Sequence, residues 1–243
     1  MFDDVYARVD DPLMARALEL ATIARGAAAP NPLVGAVIVK DGAIIGEGHH
    51  PRAGEPHAEV LALAAAGERA ADAELYVTLE PCSHHGRTPP CTEAIIAAGI
   101  RRVVVGMRDP NPQAAGGVEL LTRAGIAVDV SGDDSPFRSI NRGWLKRLRS
   151  GRPLVTVKVA ATLDGKLSLD KGIRSSITGR SGAEVTRMLR SQVQAVVIGA
   201  ATASIDDPAL TVRDDQGELD SGQPLRVVLA RTTLPHAGLR VFT

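Results

Sequence analysis

Two segments near the middle of the first half read Pro56-His57-Ala58-Glu59 and Thr78-Leu79-Glu80-Pro81-Cys82-Ser83-His84-His85-Gly86-Arg87-Thr88-Pro89-Pro90-Cys91. Together they supply one imidazole, two thiols and one carboxylate. Three nitrogen and sulfur ligands can hold a zinc ion and leave a fourth position for water, the pattern of a catalytic rather than a structural zinc site. The local elements follow from the same stretch. A helix is expected over His57–Ala66, stopped by Gly67, and a buried-type strand over Glu74–Leu79. A polar loop then runs over Glu80–Pro90, and a helix over Cys91–Ala98 is stopped by Gly99. His57 and Cys91 thus open two helices, where free backbone N–H groups favour thiolate and hydroxide, and Cys82 comes from a loop just past a strand end.

Glu59, two residues after His57, can lean over the metal without binding it, take the proton of the zinc-activated water and hand it to a ring nitrogen and a departing amine. Zinc deaminases divide the work in this way, with an H-x-E and P-C-x-x-C signature. Here the first half matches. In the second half eight residues, Ser83 to Pro90, separate the cysteines where the short motif has two, so the ligand set survives and the inserted loop becomes new wall around the site. With only two cysteines, a single disulfide or two ordinary buried thiols is the alternative, and a reducing compartment disfavours the disulfide.

Outward from this stretch, Asp10–Arg25 reads as an amphipathic helix with Leu13, Ala17, Leu20 and Ile23 or Ala24 on one face. Leu33–Lys40 and Ala43–Gly48 then form a hairpin about Asp41-Gly42. Beyond it come a strand over Arg102–Gly106, a helix near Ala115–Ala124, a strand over Ile126–Val130 and a helix from about Ser135 to Arg149. Strand and helix alternate from Leu75 onward, so the first domain is expected to be α/β with a mostly parallel sheet. Ser150-Gly151-Arg152-Pro153 is the expected boundary, giving domains 1–150 and 151–243. After it the pattern predicts a strand over Leu154–Ala160, a strand and turn around Leu163–Lys166 and a helix over Ser181–Ser191. Strands over Ala195–Ile198 and Leu225–Leu229 follow, with a polar connection from Asp214 to Pro224 between them.

Composition narrows the chemistry. Lys+Arg and Asp+Glu stand at 28 each and aromatic residues at 2%, so there is neither a basic footprint for nucleic acid or membrane nor much material for stacking unpaired bases. The acidic Met1-Phe2-Asp3-Asp4 start carries no secretion signal and no apolar run is long enough to span a bilayer, so a cytoplasmic location is expected. A nucleoside or tRNA deaminase would show the short cysteine spacing and, for tRNA, a basic face. A noncatalytic zinc-stabilised module would have four protein ligands and tolerate Glu59→Gln.

Pro30-Asn31-Pro32, Gly46-x-Gly48-x-His50, Gly54-x-Pro56-His57-Ala58-Glu59, the unbroken TLEPCSHHGRTPPC run, Asp109-Pro110-Asn111-Pro112 and Asn141-x-Gly143-Trp144 resemble the bifunctional deaminase-reductases of riboflavin biosynthesis. The resemblance continues at Lys158-x-x-x-x-Leu163-Asp164-Gly165 and at Asp206 to Arg213, and so covers nearly the whole chain. It implies a cytidine deaminase-like three-layer α/β/α domain followed by part of a dihydrofolate reductase-like α/β domain. It implies hydrolytic deamination of a diaminopyrimidinone carrying a phosphoribosylamino group, then NADPH-dependent reduction of the ribose to a ribityl chain. One zinc per chain would be held by His57, Cys82 and Cys91, with Glu59 as proton shuttle and Asn31, His50, Arg87, Asp109 and Asn111 lining the pocket. Arg87 would serve the phosphate or ribose end, since guanidinium offers a forked donor set.

In the second domain Lys158, Arg190, Leu210 and Arg213 match substrate positions, and Ala160, Thr202 and Asp206 match positions near the cofactor. Two stretches depart from the family pattern. A Ser-x-Trp is replaced by Arg174-Ser175-Ser176 and an Asp-Ser pair by Ala230-Arg231. The family's late glycine-rich phosphate-binding stretch lies beyond Thr243, so the reductase half is expected to be incomplete and its activity compromised. The expected partner is a small-molecule substrate, with no nucleic acid and no membrane. Assembly as a homo-oligomer stays open.

Overall fold

The computed structural model describes residues 9–85, 89–170, 172–213, 216–220 and 222–243. Helix α1 (Pro12–Ile23) starts at Asp11, whose carboxylate accepts from the backbone N–H of Leu13 at 2.8 Å and of Met14 at 3.2 Å; Pro12 occupies a first-turn position that needs no donor. Its buried stripe is Met14, Ala17, Leu20 and Ala21. The expected apolar face is therefore rotated: Ile23 is 62% exposed, and Met14 takes the place given to Leu13.

Strands β1 (Gly35–Lys40) and β2 (Ala43–His49) form an antiparallel hairpin with Lys40 opposite Ala43. Asp41 and Gly42 have φ of 51° and 77°, the left-handed backbone of a two-residue turn that matches strand twist. Strand β3 (Glu74–Val77) pairs antiparallel with β1, while β4 (Arg102–Val105) and β5 (Ala127–Val130) add in parallel, giving the order β2-β1-β3-β4-β5. Parallel pairing is confined to β3, β4 and β5, so the sheet is mixed.

Glycines set how closely the helices approach. A Cβ on Gly35 would lie 2.0 Å from the carbonyl oxygen of Ala17 in α1, and one on Gly48 would lie 2.3 Å from that of Ala58 in α2 (Ala58–Ala66). Gly48 pairs with Ala36, the neighbour of Gly35, and successive residues of a strand face opposite sides. Helices α1 and α2 therefore cover opposite faces, and α3 (Cys91–Ala97) and α4 (Gly117–Arg123) continue the α2 layer. Val37, Ile38, Leu75, Val77, Val103, Val105, Ile95 and Leu121 are fully buried between the layers. Each contributes roughly 1.5–3 kcal/mol by leaving water.

The single helix expected from Ser135 to Arg149 is two, α5 (Ser135–Ile140) and α6 (Arg142–Ser150). The break falls at Asn141, buried to 2% exposure, whose side-chain oxygen accepts from the Leu33 N–H (2.8 Å) and whose side-chain NH2 donates to the Leu33 carbonyl (3.0 Å). That clamp holds Asn141 out of helical geometry, at φ −100° and ψ 11°.

The chain divides into two compact units between Leu154 and Val155. In the second, α7 (Arg180–Ser191) precedes β6 (Ala195–Gly199), α8 (Ala200–Asp206) and β7 (Leu225–Leu229), and β6 and β7 pair in parallel. Ala203, Leu210 and Val241 form its small core, with Val196, Ile198, Val228 and Leu239 packed against them. The strand expected over Leu154–Ala160 is not formed: no described backbone pairs with it, and Val155, Val157 and Val159 are exposed. Alternation predicted the residue pattern, but a strand also needs a ladder partner. At Leu163–Lys166 there is a turn and no strand, closed by the Thr162 N–H donating to the Lys166 carbonyl at 2.9 Å. Helix α8 was not anticipated. Among the described residues, no helix is long and apolar enough to cross a membrane.

Candidate metal centre

His57 caps the N-terminus of α2, Cys91 is the first residue of α3, and Cys82 lies in the segment after β3. The three side chains converge, with the His57 Nδ1 3.1 Å from the Cys91 Sγ and 3.6 Å from the Cys82 Sγ. All three ligand atoms lie within 4.8 Å of one another. Both cysteines are free thiols, which removes the disulfide alternative. A tetrahedral ion with Zn–S near 2.3 Å and Zn–N near 2.0 Å separates its ligand atoms by roughly 3.5–3.8 Å. The His57–Cys82 spacing falls in that range and the His57–Cys91 spacing lies slightly below it, so the two sulfurs and the imidazole nitrogen are a donor set that fits zinc once His57 and Cys91 part by a few tenths of an ångström. The Cys91 N–H donates to the Cys82 Sγ at 3.4 Å, so the start of α3 supports an anionic sulfur. The hydrogen bond to Cys82 pushes the His57 imidazole up. The two thiols share a proton, which pushes Cys82 down and Cys91 up.

Glu59 stands in the first turn of α2, 3% exposed, and burial pushes its carboxyl up to about 7. Its neighbours include His57, Cys82 and Cys91, so the carboxyl belongs to the same cluster.

His50, 3% exposed, sets its ring at 84° to that of His57 with centroids 5.3 Å apart. Its Nδ1 is 3.1 Å from the Pro56 carbonyl oxygen and its Nε2 2.9 Å from the Asn31 Nδ2. A carbonyl only accepts, so Nδ1 carries the proton, and Nε2 of the neutral ring accepts from the Asn31 amide. Burial pushes the His50 imidazole down, in keeping with a neutral ring. Both ring nitrogens are thereby occupied.

Asp109 follows β4 in the loop toward α4; its Oδ1 accepts from the Asn111 N–H at 2.8 Å, and the Asn111 Oδ1 accepts from the Gln113 N–H at 3.2 Å. Burial pushes the Asp109 carboxyl up to about 6, with the Glu80 carboxylate adding to the rise. Arg87 lies outside the described residues.

In the second unit, the Arg190 Nη1 on α7 donates to the Thr211 carbonyl at 2.9 Å, which joins that helix to the segment holding Leu210 and Arg213. Burial pushes the Arg190 guanidinium down. Leu210 is buried and has φ of 54°, and the Arg213 Nη1 donates to the Gly217 carbonyl at 2.6 Å. Thr202 and Asp206 lie one turn apart on α8; Lys158 is exposed and Ala160 half-buried.

Two side chains that the sequence left without a role organise the site. Asn141 clamps Leu33, two residues after Asn31. Glu80, 4% exposed, accepts from three backbone N–H groups of the 109–118 segment. The only local signal for Glu80 was a charged residue between Leu79 and Pro81 at the end of a buried strand.

Residues 7–107 match the cytidine and deoxycytidylate deaminase zinc-binding region, and residues 153–243 match the RibD C-terminal domain. The chain is 50% identical over 230 residues to the riboflavin biosynthesis protein RibD of Escherichia coli, covering 90% of this chain and 63% of that one. It is 50% identical over 222 residues to RibD of Aquifex aeolicus, covering 91% of this chain and 62% of that one. Among solved structures, a diaminohydroxyphosphoribosylaminopyrimidine deaminase/5-amino-6-(5-phosphoribosylamino)uracil reductase from Thermotoga maritima superposes with a TM-score of 0.87 at 43% identity, covering 95% of this chain and 66% of that one. The chain thus spans about three fifths of the length of the curated relatives it matches.

Proposed function

Because the chain belongs to the RibD family of riboflavin-biosynthesis deaminase-reductases, we propose that its first unit, as a deaminase domain over residues 1–150, hydrolyses the 2-amino group of 2,5-diamino-6-(5-phosphoribosylamino)pyrimidin-4(3H)-one. The products are 5-amino-6-(5-phosphoribosylamino)uracil and ammonia. The observation that carries this reading is the buried Glu59 carboxyl set beside the cluster of one Nδ1 and two Sγ atoms.

His57, Cys82 and Cys91 would hold the zinc ion. Zinc bound there supplies Lewis acidity, which makes water an effective nucleophile near neutral pH. Glu59, buried beside the cluster, takes a proton from the attacking water and delivers it to the substrate as the C–N bond breaks and ammonia leaves. His50 acts by fixing the Asn31 amide: with Nδ2 turned toward Nε2 of the ring, Oδ1 of Asn31 is left to accept from a donor on the pyrimidine. Asp109 and Asn111 bind the sugar-phosphate side together with Arg87.

The decisive assay compares ammonia release from the phosphoribosylaminopyrimidine with release from cytidine. Glu59→Gln is expected to keep zinc and to lose about 10²- to 10⁴-fold in kcat. Absence of ammonia release from the zinc-loaded wild type points to the noncatalytic zinc module, retained release in Glu59→Gln removes Glu59 as the proton shuttle, and preference for cytidine points to a nucleoside deaminase.

The second unit supplies the family's reductase residues, with Lys158, Arg190, Leu210 and Arg213 toward substrate and Ala160, Thr202 and Asp206 toward NADPH. A hydroxyl and a carboxylate on α8 with one alanine do not by themselves enclose a dinucleotide. NADPH oxidation by the 243-residue chain with the deaminated intermediate tests this half directly.

A further inference from the structure

The carboxylate of Glu80 is divided between two parts of one segment. Its Oε2 accepts from the Asp109 N–H at 2.9 Å, and its Oε1 accepts from the Gly116 N–H at 3.1 Å and the Val118 N–H at 3.0 Å. The Glu80 backbone N–H donates to the Met107 carbonyl at 2.8 Å. Three residues on, the Ser83 hydroxyl donates to the Ala115 carbonyl at 2.7 Å and the Ser83 N–H to the Ala114 carbonyl at 3.3 Å. Gly117 lies so close that a Cβ on it would come 1.9 Å from the Pro81 carbonyl oxygen. The 109–118 segment is therefore fastened at both ends to residues 80–83, and Cys82 stands within that short run.

A buried carboxylate in a low-dielectric setting is tolerable only when hydrogen bonds replace its lost water, and three charge-assisted bonds from backbone N–H groups do so. Those bonds also fix where the backbone of Asp109 stands relative to Cys82. Loss of them frees a loop whose side chains meet substrate, and misplacement by about 1 Å is enough to cost on the order of a hundredfold in rate.

We propose that Glu80 is a positioning residue for substrate affinity: by accepting from Asp109, Gly116 and Val118 it holds the Asp109–Asn111 rim in register with the thiol of Cys82. This rests on the deaminase reading above, since Asp109 and Asn111 matter to affinity only if the phosphoribosylaminopyrimidine is the ligand.

Glu80→Gln separates the two halves of the carboxylate. A carboxamide has one acceptor; facing Gly116 and Val118, it turns its NH2 against the Asp109 N–H. In the zinc-loaded full chain the expected result is a rise in KM of about tenfold or more, a smaller fall in kcat, and zinc content equal to wild type. Added to an Asp109→Ala/Asn111→Ala background, Glu80→Gln is expected to raise KM no further than that background alone, because Glu80 works through those two residues. Unchanged KM in Glu80→Gln alone, or a further rise in that background, overturns the proposal.

A second measurement needs no variant. Amide hydrogen exchange of the wild-type chain is expected to show Asp109, Gly116 and Val118 protected alongside the sheet amides, and rapid exchange of the Asp109 amide overturns the proposal. If wild type releases no ammonia from the substrate, the deaminase reading fails, whereas the exchange result still decides whether Glu80 holds the loop.

Discussion

At the scale of one residue, Asp109, which the proposed deaminase reading places against substrate, sets binding against stability. Its folded-state carboxyl is raised to about 6 by burial, above the ordinary 3.8. The sign follows directly. Below about 4 the carboxyl is protonated both folded and unfolded and contributes nothing. As pH rises from about 4 to 6 the unfolded chain ionises first, so a penalty against the folded state builds up and persists at neutral pH. Asp109→Asn keeps an oxygen for the Asn111 N–H and removes the half-buried charge. It is expected to raise the thermal midpoint at pH 7, to flatten the stability profile between pH 4 and 6, and to weaken substrate binding. Thermal melts across that range check the first two and KM the third; an unchanged midpoint at pH 7 would show that Asp109 carries no penalty.

Elements here are ended by what their residues do elsewhere. Asn141 stands within the helix expected over Ser135–Arg149, and although the resemblance included it in Asn141-x-Gly143-Trp144, nothing in the local pattern gave its side chain a partner. Its clamp on Leu33 spans 108 positions, a separation that local pattern cannot report. Asn141→Ala leaves the Leu33 N–H and carbonyl without those partners, at an expected cost of about 1–3 kcal/mol in urea unfolding. Asn141→Asp keeps the acceptor but sets a buried carboxylate oxygen against the Leu33 carbonyl, and is expected to cost at least as much at neutral pH. Equal stability of all three proteins would mean that the clamp contributes nothing. Helix α1 shows a smaller divergence of the same kind, since the 3.6-residue period places an apolar face but the sheet above Gly35 selects Met14 and Ala21 for burial. The Asp41-Gly42 hairpin, the Gly67 stop of α2 and strands β3 to β5 depended on adjacent residues, and they formed within a residue or two of expectation.

At the scale of the whole molecule, metal affinity and stability are linked through the first unit, which holds the His57–Cys82–Cys91 cluster found among the described residues. A zinc ion that binds the folded cluster and not the unfolded chain stabilises by mass action. Chelation is expected to lower the melting midpoint of the unit up to Leu154 by several degrees, reversibly on adding zinc. Amide protection of β6 and β7 in the second unit, which has its own core of Ala203, Leu210 and Val241, is expected to stay unchanged. A midpoint indifferent to chelator would remove zinc from the site.

The sequence by itself determined the ligand types, the carboxylate two residues from the histidine, the α/β character of the first domain and the family. Each of these depends on residue identity and spacing along the chain. Only the tertiary structure decided that Nδ1 of His57 faces both sulfurs, that His50 is occupied by Asn31 and Pro56, and that Glu80 and Asn141 fasten the loops around the site. Those depend on buried polar groups finding partners far away in sequence, because a buried donor or acceptor left unpaired is too costly to keep.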